Sequence, residues 1–233
     1  MKFKDELIEA TFLKRYKRFL VDVEMPDGRV ETVHCANSGR MTSCLGEGWK
    51  VLLSDSKNPK RKLQMSLEMI HNKKCWIMIN THQANHIVKE AILNNEIDEI
   101  GQFDEVLSEV KYGNSSRIDL LIKSTKDLYL EVKSVTLLEG DKYLFPDAVT
   151  TRGQKHLSEL IEVVKSGHRA MMFYLIQRSD GHSFEPAKDV DLKYAKLLSE
   201  AVEAGVEVCC YETVIDRNEV KIARSIPYVI GLY

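Results

Sequence analysis

The hydrophobic pattern of this chain changes period near Thr81, and the change separates two parts that cannot share one architecture. Upstream, Phe19, Val21, Val23 and Met25 alternate with Leu20, Asp22 and Glu24. Period two places alternate side chains on opposite faces of a strand. Pro26-Asp27-Gly28 carries turn chemistry, and Val30 to Ala36 predicts the returning strand of a hairpin. Asn37-Ser38-Gly39-Arg40 is a second turn, and further strands are predicted over 49–54, 63–70 and 75–80. Five short strands within residues 1–80 predict a small OB-like β-barrel, because closure removes exposed sheet edges.

Downstream, helical spacing takes over at Ile87, Val88, Ala91 and Ile92. Strands are predicted over 105–111, 117–123 and 128–135. A helix follows over 152–165, with Leu157, Leu160, Ile161 and Val164 as its apolar stripe and Gly167 as its stop. The apolar run 169–177 predicts a strand buried on both faces. A helix carrying Tyr194, Leu197, Leu198 and Ala201 ends at Gly205, and a strand follows over 206–211. Residues 81–233 are therefore expected to form an α/β domain with a mixed sheet. No flexible linker separates it from residues 1–80, so the two parts are expected to pack together.

The net charge of −2 hides an asymmetry. Residues 1–80 hold 15 Lys and Arg against 10 Asp and Glu, whereas residues 81–233 hold 18 against 25. A basic part beside an acid-rich part suits a phosphate-binding surface next to metal ligands, and equally suits uneven solvated charge. No apolar run reaches the roughly 18 residues of a membrane span. No apolar signal core follows Met1-Lys2-Phe3-Lys4-Asp5-Glu6, so a cytoplasmic protein is expected. Cys35, Cys44, Cys75, Cys209 and Cys210 form no C-x-x-C pair, and His34-Cys35 lacks a second ligand pair. They are expected to be buried reduced thiols.

The chemistry concentrates in two adjacent predicted strands. Asp119 interrupts the apolar run Ile118 to Ile122, and an acid there is costly unless paired or bound to a cation. The next strand reads Leu128-Tyr129-Leu130-Glu131-Val132-Lys133-Ser134-Val135. Glu131 and Lys133 share one face of it, and Asp119 on the neighbouring strand can reach that face. Two carboxylates and an ammonium then converge. Hard divalent cations such as Mg²⁺ (or Mn²⁺) take carboxylates, water and phosphate as ligands. Such a cation polarises phosphate and acidifies a bound water, while Lys133 is suited to transition-state charge. A structural salt bridge uses the same residues.

Four blocks occur in order: Ser116-Arg117-Ile118-Asp119, Glu131-Val132-Lys133-Ser134-Val135-Thr136-Leu137, Phe145-Pro146-Asp147-Ala148-Val149-Thr150 and Arg152-Gly153-Gln154-Lys155-His156-Leu157. Together with Asn37-Ser38-Gly39-Arg40-Met41 and Gly205-Val206-Glu207-Val208, they resemble the sugar fermentation stimulation protein (SfsA) family over almost the whole chain. The resemblance implies DNA binding, an N-terminal OB-like domain over 1–80 and a PD-(D/E)xK nuclease-like domain over 81–233. It places Asp119, Glu131 and Lys133 on the D…(D/E)xK positions, with Mg²⁺ or Mn²⁺ as cofactor and the Val132 carbonyl as an extra ligand. Glu90 is the candidate for an added helix acid, and Glu109 is a second. The family name implies a regulatory link to sugar-utilisation genes and leaves the chemistry undefined.

Around this centre, Arg152 opens a helix whose N-terminus suits an anion, and Asp147, Gln154 and His156 are supporting candidates. Capping is an equal reading for Asp147, and a solvated helix position is the slightly favoured reading for His156. Candidate DNA contacts are Arg15, Lys17 and Arg18 around Tyr16, a ring set among charges that suits base stacking. Arg40 beside Gly39, and Lys60, Arg61 and Lys62 in a loop, complete the set. The leading expectation is a DNA-binding protein with a metal-dependent phosphodiesterase site. The alternative is a DNA-binding regulator with a vestigial nuclease fold. RNA as substrate and a homo-oligomeric state stay open.

Overall fold

The computed structural model describes residues 1–112 and 116–231. The first unit is built from β1 (Ile8–Tyr16), β2 (Leu20–Glu24), β3 (Val30–Cys35), β4 (Lys50–Asp55) and β5 (Met65–His71). β1 pairs antiparallel with β2 and β4, β2 with β3, and β4 with β5. A short parallel contact between β3 and β5, at His34↔Ser66 and Cys35↔Leu67, closes the ring. Val21, Val33, Val51, Leu53 and Leu67 fill its interior. The result is the expected OB barrel, with one change of membership. β1 joins the predicted strands in the ring; the end of its run, Lys14-Arg15-Tyr16, carries charge that masks a strand period. The expected strand over 75–80 shortens to β6 (Trp76–Met78), an extension paired with β5 outside the ring.

The second unit follows through a single 3-10 turn at Thr81–Gln83, capped by the Asn80 side chain. Its elements are α1 (Ala84–Leu93), β7 (Glu105–Tyr112), β8 (Ser116–Lys123), β9 (Leu128–Val135), β10 (Leu137–Glu139), β11 (Lys142–Phe145), α2 (Thr151–Lys165), β12 (Arg169–Ile176), β13 (Ser183–Pro186), α3 (Leu192–Glu203), β14 (Glu207–Ile215) and β15 (Val220–Ser225). The main sheet has the order β15-β14-β12-β9-β8-β7. Its centre, β9, β12 and β14, is parallel, and its flanks are antiparallel. The mixed α/β sheet is as expected. A small sheet of β10, β11 and β13 and the edge strand β15 are additions, too short or too charged to show a period. Thr150 and Asp191 cap α2 and α3 by accepting from the backbone N–H groups of Gly153 and Tyr194. Gly167 and Gly205, at φ of 94° and 100°, take the left-handed conformation beyond the two helix ends.

The sheet is covered on both faces. Leu157, Leu160 and Leu198 of α2 and α3 pack with Ile118, Val135, Met172 and Tyr174 on one face. On the other, Ile87, Val88 and Ile92 of α1 pack with Leu120, Leu130 and Phe173, and Leu52, Met69 and Met78 of the barrel join this same core. The two units therefore share an apolar interface. A polar clamp adds to it: the buried Arg178 guanidinium donates to Thr136 O at 2.7 Å and Ser43 Oγ at 3.0 Å, and grips Asp180 at 2.6 and 2.8 Å. Burial would raise the Asp180 carboxyl, but the bonds from Arg178 and Asn72 hold it at about 2. Residues before β1 lie against the second unit, where Phe3 N donates to Asn218 O at 3.0 Å. The five cysteines are free thiols, with Cys75 half-buried and the others buried. Among the described residues, no helix is long and apolar enough to cross a membrane.

Candidate active site

β8 and β9 pair through Leu120↔Leu130, Leu121↔Tyr129 and Ile122↔Leu128, and there the regular ladder ends. At the next position the Asp119 side chain replaces the missing backbone partner: its Oδ2 accepts from Val132 N at 2.8 Å. Oδ1 accepts from Asn85 Nδ2 on α1 at 2.9 Å. Alternation breaks at the same point. Ile118 packs in the α2–α3 core, whereas Leu120 packs in the α1 core. On the adjoining strand, Glu109 lies between the pairs Ser108↔Leu120 and Val110↔Ile118, with φ of 57°. A left-handed non-glycine residue inside a strand is strained, and such strain clusters at functional sites. This local kink turns Asp119 out of the sheet and into the cleft beside Glu131.

Glu131 is almost completely buried, and the two halves of its carboxylate differ. Oε1 accepts from Lys133 Nζ at 2.7 Å and makes a short contact with His156 Nδ1. Oε2 is buried without a hydrogen-bond partner, as is the neighbouring Ser134 hydroxyl. His156 Nε2 lies 3.4 Å from Arg152 Nε, which can only donate. The proton of a neutral His156 therefore sits on Nδ1 and points to Glu131. Lys133 Nζ lies 3.2 Å from that same Nδ1, and this approach is proximity, since both groups donate to Glu131.

The electrostatics separate the two acids. Burial and the Glu131 charge push Asp119 up to about 6. Burial also acts to raise Glu131, but the Lys133 charge and the His156 bond outweigh it and leave the group below the usual carboxylate range. Glu131 is thus a fixed anion near neutrality, and Asp119 is an acid whose ionisation is resisted by its surroundings. An additional positive charge between them would relieve that resistance.

Both units wall the cleft around these groups, whose volume is about 660 Å³. Arg18, Asn37, Ser38 and Gly39 line it from the barrel, and His82 from the connecting turn. Asp119, Glu131, Lys133, Glu109, Asp147, Arg152 and His156 line it from the second unit. Asp119, Glu131 and Lys133 are therefore brought together with Glu109, Arg18, Arg152 and His156. Asp147 lines the cleft but also ties the two units, accepting from Met41 N at 2.9 Å. A Cβ on Gly39 would land inside the van der Waals radius of its carboxylate, so glycine permits this approach.

Other candidates lie elsewhere. Glu90 is on the far part of α1 and pairs with the Met1 amine at 2.7 Å. Helical rotation explains this: Asn85 continues the inward stripe of Val88 and Ile92, and Glu90 does not. Gln154 is buried and donates to Asp191 at 3.0 Å, supporting the α3 cap. Arg15 is consumed internally, donating to the carbonyls of Arg18, Asn37, Gly39 and Arg40. Its role is to hold the 37–40 turn, which presents Asn37 to Gly39 to the cleft. Tyr16 donates to Asp22 Oδ1 at 3.0 Å, with Lys14 Nζ 5.7 Å from its ring centre. Lys17, Arg40, Lys60 and Lys62 are exposed, while Arg61 is half-buried and donates to Ser66 Oγ at 3.1 Å. Asn85 is the site residue that motif reading missed, although a polar side chain continuing a buried helical stripe is a readable signal. Among the described residues, no group of three or more His, Cys, Asp or Glu is placed to hold a metal ion.

Residues 13–79 match the family model described as the SfsA N-terminal OB domain, and residues 82–219 match the sugar fermentation stimulation protein RE domain. The chain is 45% identical to a sugar fermentation stimulation protein homolog of Pelobacter propionicus, covering 96% of this chain and 98% of that one. It is 47% identical to the homolog of a Marinomonas species, covering 99% and 91%. Its fold is similar to that of Pyrococcus furiosus SfsA solved in complex with Ca²⁺, with a TM-score of 0.88, 27% identity, and coverage of 99% and 98%. On these matches, which span both units, the chain belongs to the sugar fermentation stimulation protein family.

Proposed function

We propose that this protein is a DNA-binding, divalent-metal-dependent phosphodiesterase with Asp119, Glu131 and Lys133 at its active centre. The observation that carries the reading is Glu131 Oε2, a buried oxygen without a hydrogen-bond partner on a side chain that lines the cleft together with Asp119. Leaving a buried carboxylate oxygen unsatisfied costs free energy that an oxygen-seeking cation would recover. Asp119 and Glu131 supply hard oxygen donors, which fit Mg²⁺ or Mn²⁺, and two carboxylates with waters and phosphate suffice for Mg²⁺. The Ca²⁺ in the Pyrococcus furiosus relative agrees with a divalent ion in this family. When bound, such an ion neutralises phosphate charge and acidifies a coordinated water.

The chain's own groups do the rest. Lys133, anchored on Glu131, directs its ammonium into the cleft, where a phosphate oxygen gains charge during displacement. His156 bridges Glu131 and Arg152 and so fixes the orientation of both. Arg152 on one wall and Arg18 on the other are separated across the cleft and suit phosphates along one strand. The barrel wall holds the substrate in register with the acids, with the domains divided near residues 80 and 81.

Labelled single- and double-stranded DNA and RNA, incubated with the protein in Mg²⁺, Mn²⁺ or EDTA, test the reading. Metal-dependent cleavage abolished by Asp119→Ala and by Glu131→Ala is the expected result. Tight DNA binding by wild type with no cleavage under any condition would replace it with the non-catalytic regulator.

A further inference from the structure

Beside the cleft, the barrel carries an aromatic pair, Phe19 and His34, that the active centre leaves unused. Phe19 follows the tight turn of Lys17 and Arg18, whose φ angles are 48° and 65°. The residue is 44% exposed, although Cys35 N donates to Phe19 O at 2.9 Å and fixes the backbone at the β2–β3 seam. The ring lies near-parallel to His34, at 16° between planes and 6.5 Å between centres. A single exposed apolar side chain is ordinary. The surroundings of this one are not. Arg61 and His82 both lie close enough to His34 to depress its basicity, after burial, which is the larger influence. Arg61 is itself anchored on Ser66, the residue that pairs with His34 where the barrel closes. Arg18, next to Phe19, and His82 both reach the cleft wall. Through Arg18 and His82 the patch adjoins the cleft that Asp119 and Glu131 line.

We propose that Phe19 and His34 form a stacking platform for an unpaired nucleobase, with Arg18, Arg61 and His82 meeting the adjacent phosphates, so that the strand approaching the cleft is single-stranded there. This rests on the nucleic-acid reading of the cleft and names the substrate class. A phenyl ring has no donor or acceptor with which to read a base edge. In a duplex the base faces are already stacked on each other, and only phosphates and groove edges are presented. An exposed ring flanked by cations instead matches a splayed base, whose π-face is available whatever its identity. Tyr16, the ring that the basic run brings to notice, is held by Asp22 and Lys14, which leaves Phe19 as the accessible ring of this run.

The test uses the full chain in EDTA, so that binding is read apart from cleavage. Wild type, Phe19→Ala and Phe19→Trp are titrated with a mixed-sequence DNA oligonucleotide, the RNA of the same sequence, and the corresponding duplex. Phe19→Ala should lose at least about fivefold in affinity for the unpaired strands, the smaller end of what one base–aromatic stack contributes. Its duplex affinity and melting temperature should match wild type. Phe19→Trp should retain strand affinity, and its added fluorescence over wild type should be quenched on binding. The more tightly bound of the DNA and RNA strands identifies the natural source of the base. Equal losses for strand and duplex, or no loss for either, would overturn the platform while leaving the nuclease proposal standing. Self-association of wild type that Phe19→Ala abolishes would also overturn it, since a second copy would then cover the ring. No binding of any oligonucleotide by wild type would overturn both proposals.

Discussion

Replacing Asp119 by Asn should stabilise the metal-free protein at alkaline pH, although it removes a central residue of the site. Burial and the Glu131 charge raise Asp119 from 3.8 to about 6. A raised acid pKa means that the folded state resists ionisation. The cost is absent below the unfolded value near pH 4, grows as pH rises, and is complete above the folded value near pH 6. Two pKa units correspond to about 3 kcal/mol at 1.36 kcal/mol per unit. Asn keeps an acceptor for Val132 N, and Asn85 must turn its amide to accept from the new donor. The hydrogen bonds that Asp119 accepts from Val132 N and Asn85 already act against the rise to about 6, so nothing further is subtracted for them. The gain at pH 8 is therefore about 3 kcal/mol, or roughly 6–12 °C for a chain of this size. Calorimetric melting in EDTA at pH 8, 6 and 4 measures it. The Asp119→Asn advantage should shrink steadily as pH falls and vanish near pH 4. Added Mg²⁺ should raise the wild-type melting temperature and leave the variant unmoved, since only the folded wild-type site gains a ligand. An Asp119→Asn advantage that is the same at pH 8 and pH 4 would refute the electrostatic account of this pair.

Lys133→Ala should lower the rate of metal-dependent cleavage by roughly a hundredfold or more, with metal affinity by calorimetry close to wild type, because its ammonium is assigned to the transition state. Arg15→Ala should lower unfolding free energy in urea by at least about 2 kcal/mol, from the loss of its charged bonds to backbone carbonyls, and leave the salt dependence of DNA binding unchanged. Lys60→Glu with Lys62→Glu should weaken duplex binding for all sequences alike, and the log–log salt slope should fall by about 1.8 if both meet phosphates. Gly39→Ala should destabilise the protein by about 1–3 kcal/mol through its clash with Asp147, and should lower cleavage as the barrel wall shifts, both read on one preparation.

The sequence by itself determined the two-unit organisation and the identity of the central trio. Period two before Thr81 and mixed periods after it reflect which faces must leave water, and that requirement is local. An acid in an apolar strand beside Glu-x-Lys is legible for the same reason, since the cost of burying charge needs an explanation wherever the strands lie. Only the tertiary structure decided how the trio meets. Strand alternation alone gives Asp119 a choice of two faces, and the kink opposite Glu109 settles it. The fate of the cations was equally closed to sequence: Arg15 and Arg18 stand in one basic run, yet one binds four carbonyls of its own barrel and the other faces the cleft. The apolar stripe of α1 already sets Asn85 apart from Glu90, but only the tertiary structure supplies their partners, Asp119 for one and the Met1 amine for the other. Charge and residue type are written in the chain, whereas the partner that satisfies each polar group is chosen among residues far apart in sequence, and folding makes that choice.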